Sequence, residues 1–261
     1  MAGYTPTSMH RHIRSHSVFV YQVGGDTFGS GVLVKIGERI FVFSAAHVIE
    51  GDIDINLGII PHQSRFSILT KWSDQETDIG FLELNPSEVQ LRLSEVSAPY
   101  AVGMKKAQAI PSKQTTLALC GFPSGEASET NRGREIPATY ITVAILAFEH
   151  WPDDLKTRYD PKKTFVIPYG DKWGGSFVDG NKRPREPISP FGISGCGLWY
   201  YDPTTENSEK PMYALVGIQH SYNRQLQVLI GTLMDPLIER VSQHYNLTIQ
   251  TAPGGAPETL K

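Results

Sequence analysis

Short apolar runs separated by turn residues make up most of this chain, and the pattern limits the folds open to it. The 24 glycines and 18 prolines supply tight turns, and no helical segments alternate with the runs. The sequence therefore predicts an all-β protein built from antiparallel sheets closed into barrels. The runs, rich in β-branched and aromatic residues, are residues 17–23, 31–36, 39–46, 66–72, 79–84, 116–122, 138–148, 164–169, 196–201, 212–221 and 225–233.

A single helix is predicted, at the end of the chain. Asp235 suits its N-cap, Pro236 its first turn, and the pattern continues to Tyr245. Residues 91–114 have the composition of a connection between two halves. We therefore expect one domain over residues 14–247, with a first barrel at about 14–108, a second at about 109–234, a helix at 235–246 and a flexible tail at 248–261.

The composition is that of an ordinary globular protein. A net charge of −3 and a pI near 6.2 give no bias toward nucleic acid or an anionic membrane, so neither is expected as a partner. No run is apolar and long enough to cross a bilayer, and the first residues lack the apolar core of a signal peptide. Only two cysteines occur, Cys120 and Cys196. A secreted domain would usually carry several disulfides, so a cytoplasmic location is expected.

Two motifs in the first half supply a histidine and an aspartate. His47 stands in SAAHV, directly after a strongly apolar strand, and the two alanines before it would let its imidazole face a cleft. Asp78 opens the apolar run IGFLEL, where it would be partly buried. Asp74 and Glu76 lie close by, but neither abuts that run. A carboxylate in such a place can hold an imidazole in one tautomer.

A third motif, PFGISGCGLWY, places Ser194 in a glycine-rich turn. Gly192 before it and Gly195 after it allow a sharp bend in which the backbone N–H groups of Gly192 and Ser194 would form an oxyanion hole. A serine hydroxyl is a poor nucleophile until a neutral imidazole takes its proton. Histidine, aspartate and serine in these settings predict a nucleophilic acyl-transfer site that needs no metal or organic cofactor.

The motifs GSGVLV…SAAHV, DIGFLEL, GISGCGL and ALVGI together resemble the trypsin-like (chymotrypsin-fold) serine peptidases, especially bacterial members without disulfides. The similarity covers about residues 17–246, although 124–190 match little. It implies two antiparallel six-stranded β-barrels that flank the active site, with a C-terminal helix packed on the second. It also implies that His47 is the general base, Asp78 its orienting carboxylate and Ser194 the nucleophile.

The resemblance also implies where a substrate would bind. Ile188, six residues before the serine, would lie near the floor of the primary pocket and favour an apolar residue at the cleavage site. The stretch His220, Ser221 and Tyr222 resembles the strand edge that pairs with the substrate backbone by β-augmentation. Since His220 stands where the family often has a small residue supporting the aspartate, it either contacts that aspartate or only fills space.

Cys196 departs from the family pattern and is a second candidate nucleophile. It occupies a position that is usually glycine, and related viral peptidases use cysteine. In those enzymes a glycine stands two residues before the nucleophile. Ser194 satisfies this spacing and Cys196 does not, which favours a structural thiol.

We therefore expect a serine endopeptidase that acts on polypeptides. The main alternative is a catalytically inactive protein of the same fold whose cleft binds peptides. An esterase is less well supported, because the chain lacks the strand–elbow–helix pattern and the Ser…Asp…His order of α/β-hydrolases. An intracellular peptidase requires control, so we expect a regulatory protein partner, an assembly or loop ordering, with residues 149–190 as the moving segment.

Overall fold

The structure is a computed structural model, and it describes twelve segments of the chain between residues 13 and 246. The predicted tail and the predicted pocket residue Ile188 lie outside the described part, as does most of the predicted connection at 91–114. The described residues are 13–23, 28–56, 66–95, 102–103, 116–124, 128–130, 133–135, 139–170, 177–178, 184–185, 189–202 and 213–246.

The first half of the chain supplies one curled antiparallel sheet. Its strands are β1 (Ser17–Gln22), β2 (Phe28–Ile36), β3 (Arg39–Ser44), β4 (Ile53–Asn56), β5 (Ile68–Asp74) and β6 (Ile79–Leu84). They pair in the order β4-β1-β2-β3-β6-β5. A two-residue strand, β7 (Val102–Gly103), lies parallel to β2. Side chains of β3 alternate between two apolar clusters: Val42 points into the core of this sheet, and Phe41 and Phe43 point toward the second half.

The second half supplies another curled antiparallel sheet. Its strands are β8 (Thr116–Gly121), β11 (Thr139–Val143), β12 (Thr164–Pro168), β15 (Gly197–Tyr201), β16 (Tyr213–Asn223) and β17 (Val228–Leu233). They pair in the order β11-β8-β15-β16-β17-β12. Two short hairpins form separate two-stranded sheets. They are formed by β9 (Ser128–Thr130) with β10 (Gly133–Glu135), and by β13 (Phe177–Val178) with β14 (Pro184–Arg185).

One apolar cluster joins the two sheets and the terminal helix. It contains Phe43 and Phe81 of the first sheet, Trp199 of the second, and Leu237 and Val241 of the helix. The helix spans Met234–Tyr245, close to its predicted bounds. It contacts both sheets rather than the second alone. The predicted fold class is confirmed: the two expected six-stranded antiparallel barrels are two curled six-stranded antiparallel sheets, followed by a C-terminal helix.

The expectation of a single helix is wrong. Helix α1 spans Pro86–Glu95 and helix α2 spans Asp153–Arg158, so the terminal helix is α3. The start of α1 carries a recognisable signal: Asn85 accepts from the Ser87 N–H at 3.0 Å, and proline occupies the first helical position. α2 has only six residues, too few for a helical period to show. In the described ranges, no helix is long and apolar enough to cross a membrane.

Part of the segment that was expected to move is firmly packed. Trp151 and Leu155 are buried in a small apolar cluster with Val166 and Ile230 of the second sheet. The Trp151 indole N–H donates to the Leu146 carbonyl at 3.0 Å. The portion of 149–190 before β12 is therefore an anchored part of the fold. Most of the portion between 171 and 188 lies outside the described residues.

Candidate active site

The turn that carries Ser194 is held by both sheets. From the first sheet, the Ser30 N–H donates to the carbonyl oxygen of Ser194 at 2.7 Å. From the second, the carbonyl oxygen of Gln219 accepts from the Gly195 N–H at 2.7 Å. The Ser30 hydroxyl also donates to the Gly192 carbonyl at 2.8 Å. Ser194 therefore lies at the junction of the two halves, on a backbone fixed at both ends.

Two glycines make this turn possible. Gly192 has a φ of +87° and Gly195 a φ of +89°, in the region that side chains disfavour. A Cβ on Gly195 would lie 1.9 Å from the carbonyl oxygen of Ser30, and one on Gly192 would lie 2.5 Å from that of Phe122. Both the backbone angles and the lack of space exclude a side chain at these positions.

Two backbone amides of the turn have no acceptor among the residues that the structure describes. Those of Ile193, Gly195 and Cys196 all donate to backbone carbonyl groups. By contrast, the N–H groups of Gly192 and Ser194 make no hydrogen bond to any acceptor in the described part of the chain. Unused donors two residues apart in a tight turn form a concavity suited to a negatively charged oxygen.

His47 and Asp78 form the best-defined polar contact of the site. The Nδ1 atom of His47 lies 2.9 Å from each carboxylate oxygen of Asp78, and the His47 backbone N–H donates to Oδ1 at 3.1 Å. A carboxylate facing Nδ1 favours the tautomer with the proton on that nitrogen, which leaves Nε2 with a free lone pair. Since the His47 side chain is 46% exposed, that lone pair is accessible from the cleft.

The hairpin between β5 and β6 positions the carboxylate. Asp78 has a φ of +50°, a left-handed conformation that aspartate tolerates better than most residues. Its backbone carbonyl accepts from the Ala46 N–H at 3.2 Å, which ties the hairpin to the turn that carries His47. The competing Asp74 has another contact, since its carboxylate accepts from the backbone N–H of Glu76 at 2.9 Å. That contact closes the turn.

Ser194 and His47 approach each other across Gly29. A Cβ on Gly29 would lie 2.6 Å from Cγ2 of Val48, the residue after His47, and 2.8 Å from the carbonyl oxygen of Ser194. The two turns are therefore separated by little more than one glycine backbone. Both residues belong to the described part, and no hydrogen bond joins Ser194 Oγ to the imidazole. In free enzymes such contacts are often long and shorten when substrate binds.

The predicted substrate-binding edge lies at the end of β16. Ser221 and Tyr222 pair with Ile230 and Leu229 of β17. The pairing of β16 with β15 ends at Ile218, so beyond Gln219 the other edge has no strand partner within the described residues. Tyr222 is half-buried, and its ring packs edge-on against Tyr169 at 6.0 Å between centroids.

The side chain of His220 points away from that edge. It is buried, with 3% of the residue exposed, and its Nδ1 lies 3.8 Å from Oδ2 of Asp78. Burial lowers its pKa from 6.5 to about 4, although the charge of Asp78 acts in the opposite direction. His220 is thus a neutral imidazole behind the aspartate. A substrate could reach its backbone only.

The two cysteines are buried thiols with no disulfide. Cys196 is fully buried, and desolvation raises the pKa of its thiol well above the ordinary value. Desolvation likewise raises the pKa of Cys120 to about 11. A thiol that stays protonated and out of reach is not a nucleophile. In the described ranges, no group of three or more His, Cys, Asp or Glu residues is placed to hold a metal ion.

Two contributors to the site were not identified from the sequence. Ser30 holds the Ser194 turn through its backbone and its hydroxyl, which also accepts from the Phe122 N–H at 2.9 Å. The Gly-Ser-Gly sequence at 29–31 is its only local signal. Thr232 of β17, whose Oγ1 lies 3.3 Å from Nε2 of His220, had no local signal, because strand pairing brings it there.

Solved structures share this fold over nearly the whole chain. A protein called GrC is 14% identical and aligns over 92% of this chain and 98% of its own, with a TM-score of 0.56. The inactivated protease paralogue S-I1 of the scabies mite is 16% identical over 93% of this chain and 99% of its own, with a TM-score of 0.54. A serine endoprotease from Yersinia pestis is 17% identical over 92% of this chain and 67% of its own, with a TM-score of 0.49.

These similarities establish the fold. No protein-family model matches the sequence, and neither does any curated protein. At such low identity the structures support a chymotrypsin-type fold and nothing finer. One of these structures is an inactivated protease paralogue, so the chemistry must be argued from the residues of the cleft.

Proposed function

We propose that this protein is a serine endopeptidase that cleaves polypeptides through an acyl-enzyme on Ser194. The observation that carries the proposal is the Nδ1 atom of His47, held 2.9 Å from both oxygens of Asp78 beside the Ser194 turn. This contact fixes the tautomer whose Nε2 can accept a proton. The unused amides of Gly192 and Ser194 supply the second requirement, donors for a developing oxyanion.

In the first step, Ser194 Oγ attacks the peptide carbonyl carbon as its proton moves to His47 Nε2. The carbonyl π electrons move to oxygen, and the Gly192 and Ser194 N–H groups bind the resulting negative charge. Each donor is worth about 3 kcal/mol in the transition state. Asp78 stabilises the imidazolium, and it remains a carboxylate throughout.

In the second step, the tetrahedral intermediate collapses and the C–N bond breaks. His47 gives its proton to the departing amine, which leaves an ester between Ser194 and the acyl half of the substrate. Water then attacks that ester with His47 again as base, and the carboxylic acid is released with Ser194 restored. No redox change occurs, and every proton is returned.

We further propose that the substrate binds as an added strand at the free edge of residues 220–222. β16 is already paired with β17 on its other side, so an extended peptide could continue the sheet toward the Ser194 turn. An apolar residue at the cleavage site, with Ile188 near the pocket floor, remains the expectation from the family resemblance. Peptide sequencing of products from a random library would test it.

A non-catalytic peptide-binding module is the second candidate. Two observations favour it: the missing hydrogen bond between Ser194 and His47, and the structural similarity to an inactivated protease paralogue. Against it stands the His47–Asp78 contact, which a binding module would not need. The same cleft serves both candidates, so only a chemical test separates them.

A fluorophosphonate probe provides that test, because it phosphonylates only a serine activated by a base. We expect the wild-type protein to be labelled on Ser194 alone. Replacement of Ser194 or His47 by alanine should abolish labelling, with a loss in turnover of about six orders of magnitude. The control Ser87→Ala, at an exposed serine of α1, should label normally. A folded wild-type protein that binds peptides but never labels would establish the binding module instead.

The natural context of this activity is also a proposal. Both cysteines are free and buried, which suits a reducing, cytoplasmic location. A peptidase there would need a regulatory protein partner or another means of restraint. Purified protein that degrades unfolded polypeptides at full rate without any added factor would contradict this expectation.

A further inference from the structure

Gly192, the first donor of the proposed oxyanion hole, is held through the peptide groups on both sides of it. Its N–H belongs to the peptide group that carries the Phe191 carbonyl, and in a trans peptide the N–H and the C=O point in opposite directions. That carbonyl accepts from the Ser124 N–H at 2.8 Å. The carbonyl of Gly192 itself accepts from the Ser30 hydroxyl, also at 2.8 Å. Two contacts from outside the turn therefore set the direction of the Gly192 N–H.

The Ser30 hydroxyl serves an N–H group and a carbonyl group at once. Its oxygen accepts from the Phe122 N–H at 2.9 Å, because a backbone N–H can only donate. A carbonyl can only accept, so the single hydroxyl proton is directed to Gly192. Ser30 is fully buried, so bulk water cannot take the place of either partner. The side chain thus links the end of β8 to the Ser194 turn.

The first sheet fixes Ser30 in turn. Ser30 belongs to β2, and its carbonyl accepts from the Ser44 hydroxyl of β3 at 2.7 Å. Its N–H donates to the Ser194 carbonyl at 2.7 Å. β3 also leads directly into the turn that carries His47. The proposed general base and the proposed oxyanion-hole donors are therefore positioned from the same pair of strands.

The backbone of Gly192 does not hold this arrangement by itself. Its φ is +87°, and glycine adopts positive and negative φ about equally well. A half-turn of the peptide group between Phe191 and Gly192 would give a negative φ and point the N–H out of the hole. Since glycine permits both orientations, contacts with neighbouring groups must select one of them.

The geometry points to Ser30 as a positioning residue that keeps the oxyanion hole open in the free protein. By holding the Gly192 carbonyl, its hydroxyl selects the orientation in which the amides of Gly192 and Ser194 converge. The hole then forms without substrate, partner or cleavage of the chain. The inference rests on the proposed peptidase function only where it concerns rate, because the conformation of Gly192 is a separate property. Ser30 touches no reacting atom and acts through Gly192.

Removal of the hydroxyl should slow the chemistry without weakening binding of the probe. We expect Ser30→Ala to lower the maximal rate of fluorophosphonate labelling of Ser194 about tenfold to a hundredfold, less than the outright loss of an oxyanion-hole donor. The probe concentration for half-maximal rate should change little, since the hole binds charge that develops in the transition state. The control is Ser17→Ala, at a buried hydroxyl that donates to the Cys120 carbonyl at 3.3 Å, and it should label normally. A wild-type maximal rate in Ser30→Ala would overturn the inference.

A conservative substitution separates the hydrogen bond from the filling of space. Ser30→Cys keeps a side chain of similar shape with a weaker donor, so its maximal rate should lie between those of wild type and Ser30→Ala. A rate below that of Ser30→Ala would mean that side-chain size, and not the donor, controls the turn, and the inference would fail.

Crystal structures in a Ser194→Ala background give a readout that does not need activity. With Ser30 present, Gly192 should have a φ near +87° in every molecule. With Ser30→Ala added, part or all of the molecules should show the reversed peptide group. If the added Ser30→Ala prevents folding, Ser30→Cys takes its place in this comparison. An unchanged Gly192 would refute the inference even if labelling slows. If the wild-type protein never labels, the peptidase proposal fails, and the crystal structures alone decide the role of Ser30.

Discussion

Two carboxylates near opposite ends of β6, those of Asp78 and Glu83, have different surroundings. Asp78 precedes β6 at the mouth of the cleft, and Glu83 lies near the end of β6 on the far side of the first sheet. The Glu83 side chain is 4% exposed and that of Asp78 is 26% exposed. Both are held close to a group that can carry positive charge. They differ in the kind of group that binds them.

Both oxygens of Glu83 accept a hydrogen bond from a side chain. Arg39 donates to one oxygen, and the Tyr245 hydroxyl donates to the other at 2.8 Å. The Arg39 guanidinium also stacks 4.2 Å from the centre of the Tyr245 ring. Because Tyr245 belongs to α3, this cluster fastens the terminal helix to the first sheet.

Asp78 instead depends on a partner whose charge can change. Its oxygens face one imidazole, which is neutral or charged according to whether Nε2 holds a proton. The contact is stronger when His47 is charged, as in the proposed transition state. A fully satisfied carboxylate such as Glu83 stabilises the fold, whereas one aimed at a titrating group can stabilise a step in a reaction.

The matched substitutions Asp78→Asn and Glu83→Gln should separate these roles most clearly. Asparagine tolerates the left-handed backbone at position 78, so the fold should survive. Its amide would favour the wrong His47 tautomer, and we expect the maximal rate of Ser194 labelling to fall by about four orders of magnitude. Glu83→Gln should label at close to the wild-type rate. Similar losses in both variants would mean that Asp78 has no special part in the chemistry.

Acid should destabilise the fold through His220, the buried histidine next to Asp78. The pKa of His220 is about 4 in the folded protein and 6.5 in its ordinary state. Above pH 6.5 both states leave it neutral. Between 6.5 and 4 only the unfolded chain binds the proton, so the free energy of unfolding should fall by about 1.4 kcal/mol per pH unit, or about 3 kcal/mol in all. Below pH 4 this loss is complete.

Urea titrations of wild type and His220→Leu at pH 7 and pH 4.5 measure that contribution. Other groups titrate in both proteins, so the informative quantity is the difference between the two pH dependences. The leucine variant should lose less stability in acid. Parallel losses would show that His220 is not protonated more readily in the unfolded chain.

Glu83→Gln should cost stability where it leaves activity intact. The substitution replaces charge-assisted hydrogen bonds to Arg39 and Tyr245 by neutral ones, and we expect a loss of about 2 kcal/mol in the free energy of unfolding. Arg39 is half-exposed and can turn to solvent, which keeps the loss below that of a fully buried ion pair. Denaturant unfolding at pH 7 provides the measurement. An unchanged midpoint would show that the cluster does not contribute to stability.

The sequence predicted the fold because its strands carry strong local patterns. The run IGFLEL became β6 and CGLWYY contains β15, each within a residue of its predicted bounds. The prediction failed where elements are short or weakly apolar. β4 has four residues, and the described part of α1 buries little beyond Val89.

The candidate site was predicted less completely, because only part of it is local. The settings of His47, Asp78 and Ser194 are readable along the chain: a strand end, the residue before a strand, and a glycine-rich turn. The roles of His220 and Glu83 depend on what strand pairing and helix packing place opposite them. Nothing in IGFLEL tells that its glutamate meets Arg39 and Tyr245, since those residues lie far along the chain.

The smallest predicted effect comes from Tyr245→Phe, which removes the tyrosine hydroxyl from Glu83 and keeps the ion pair between Glu83 and Arg39. The ring should stay packed on Phe41 and Phe81 and under the Arg39 guanidinium, so the change removes the hydroxyl and its hydrogen bond to Glu83. We expect a loss of about 1 kcal/mol in the free energy of unfolding and no change in the labelling of Ser194. A loss as large as that of Glu83→Gln would mean that the tyrosine hydroxyl, and not the Arg39 pair, holds the helix to the sheet. Reduced labelling would mean that the packing of α3 affects the cleft. The Glu83 cluster and the Asp78 site would then not act independently.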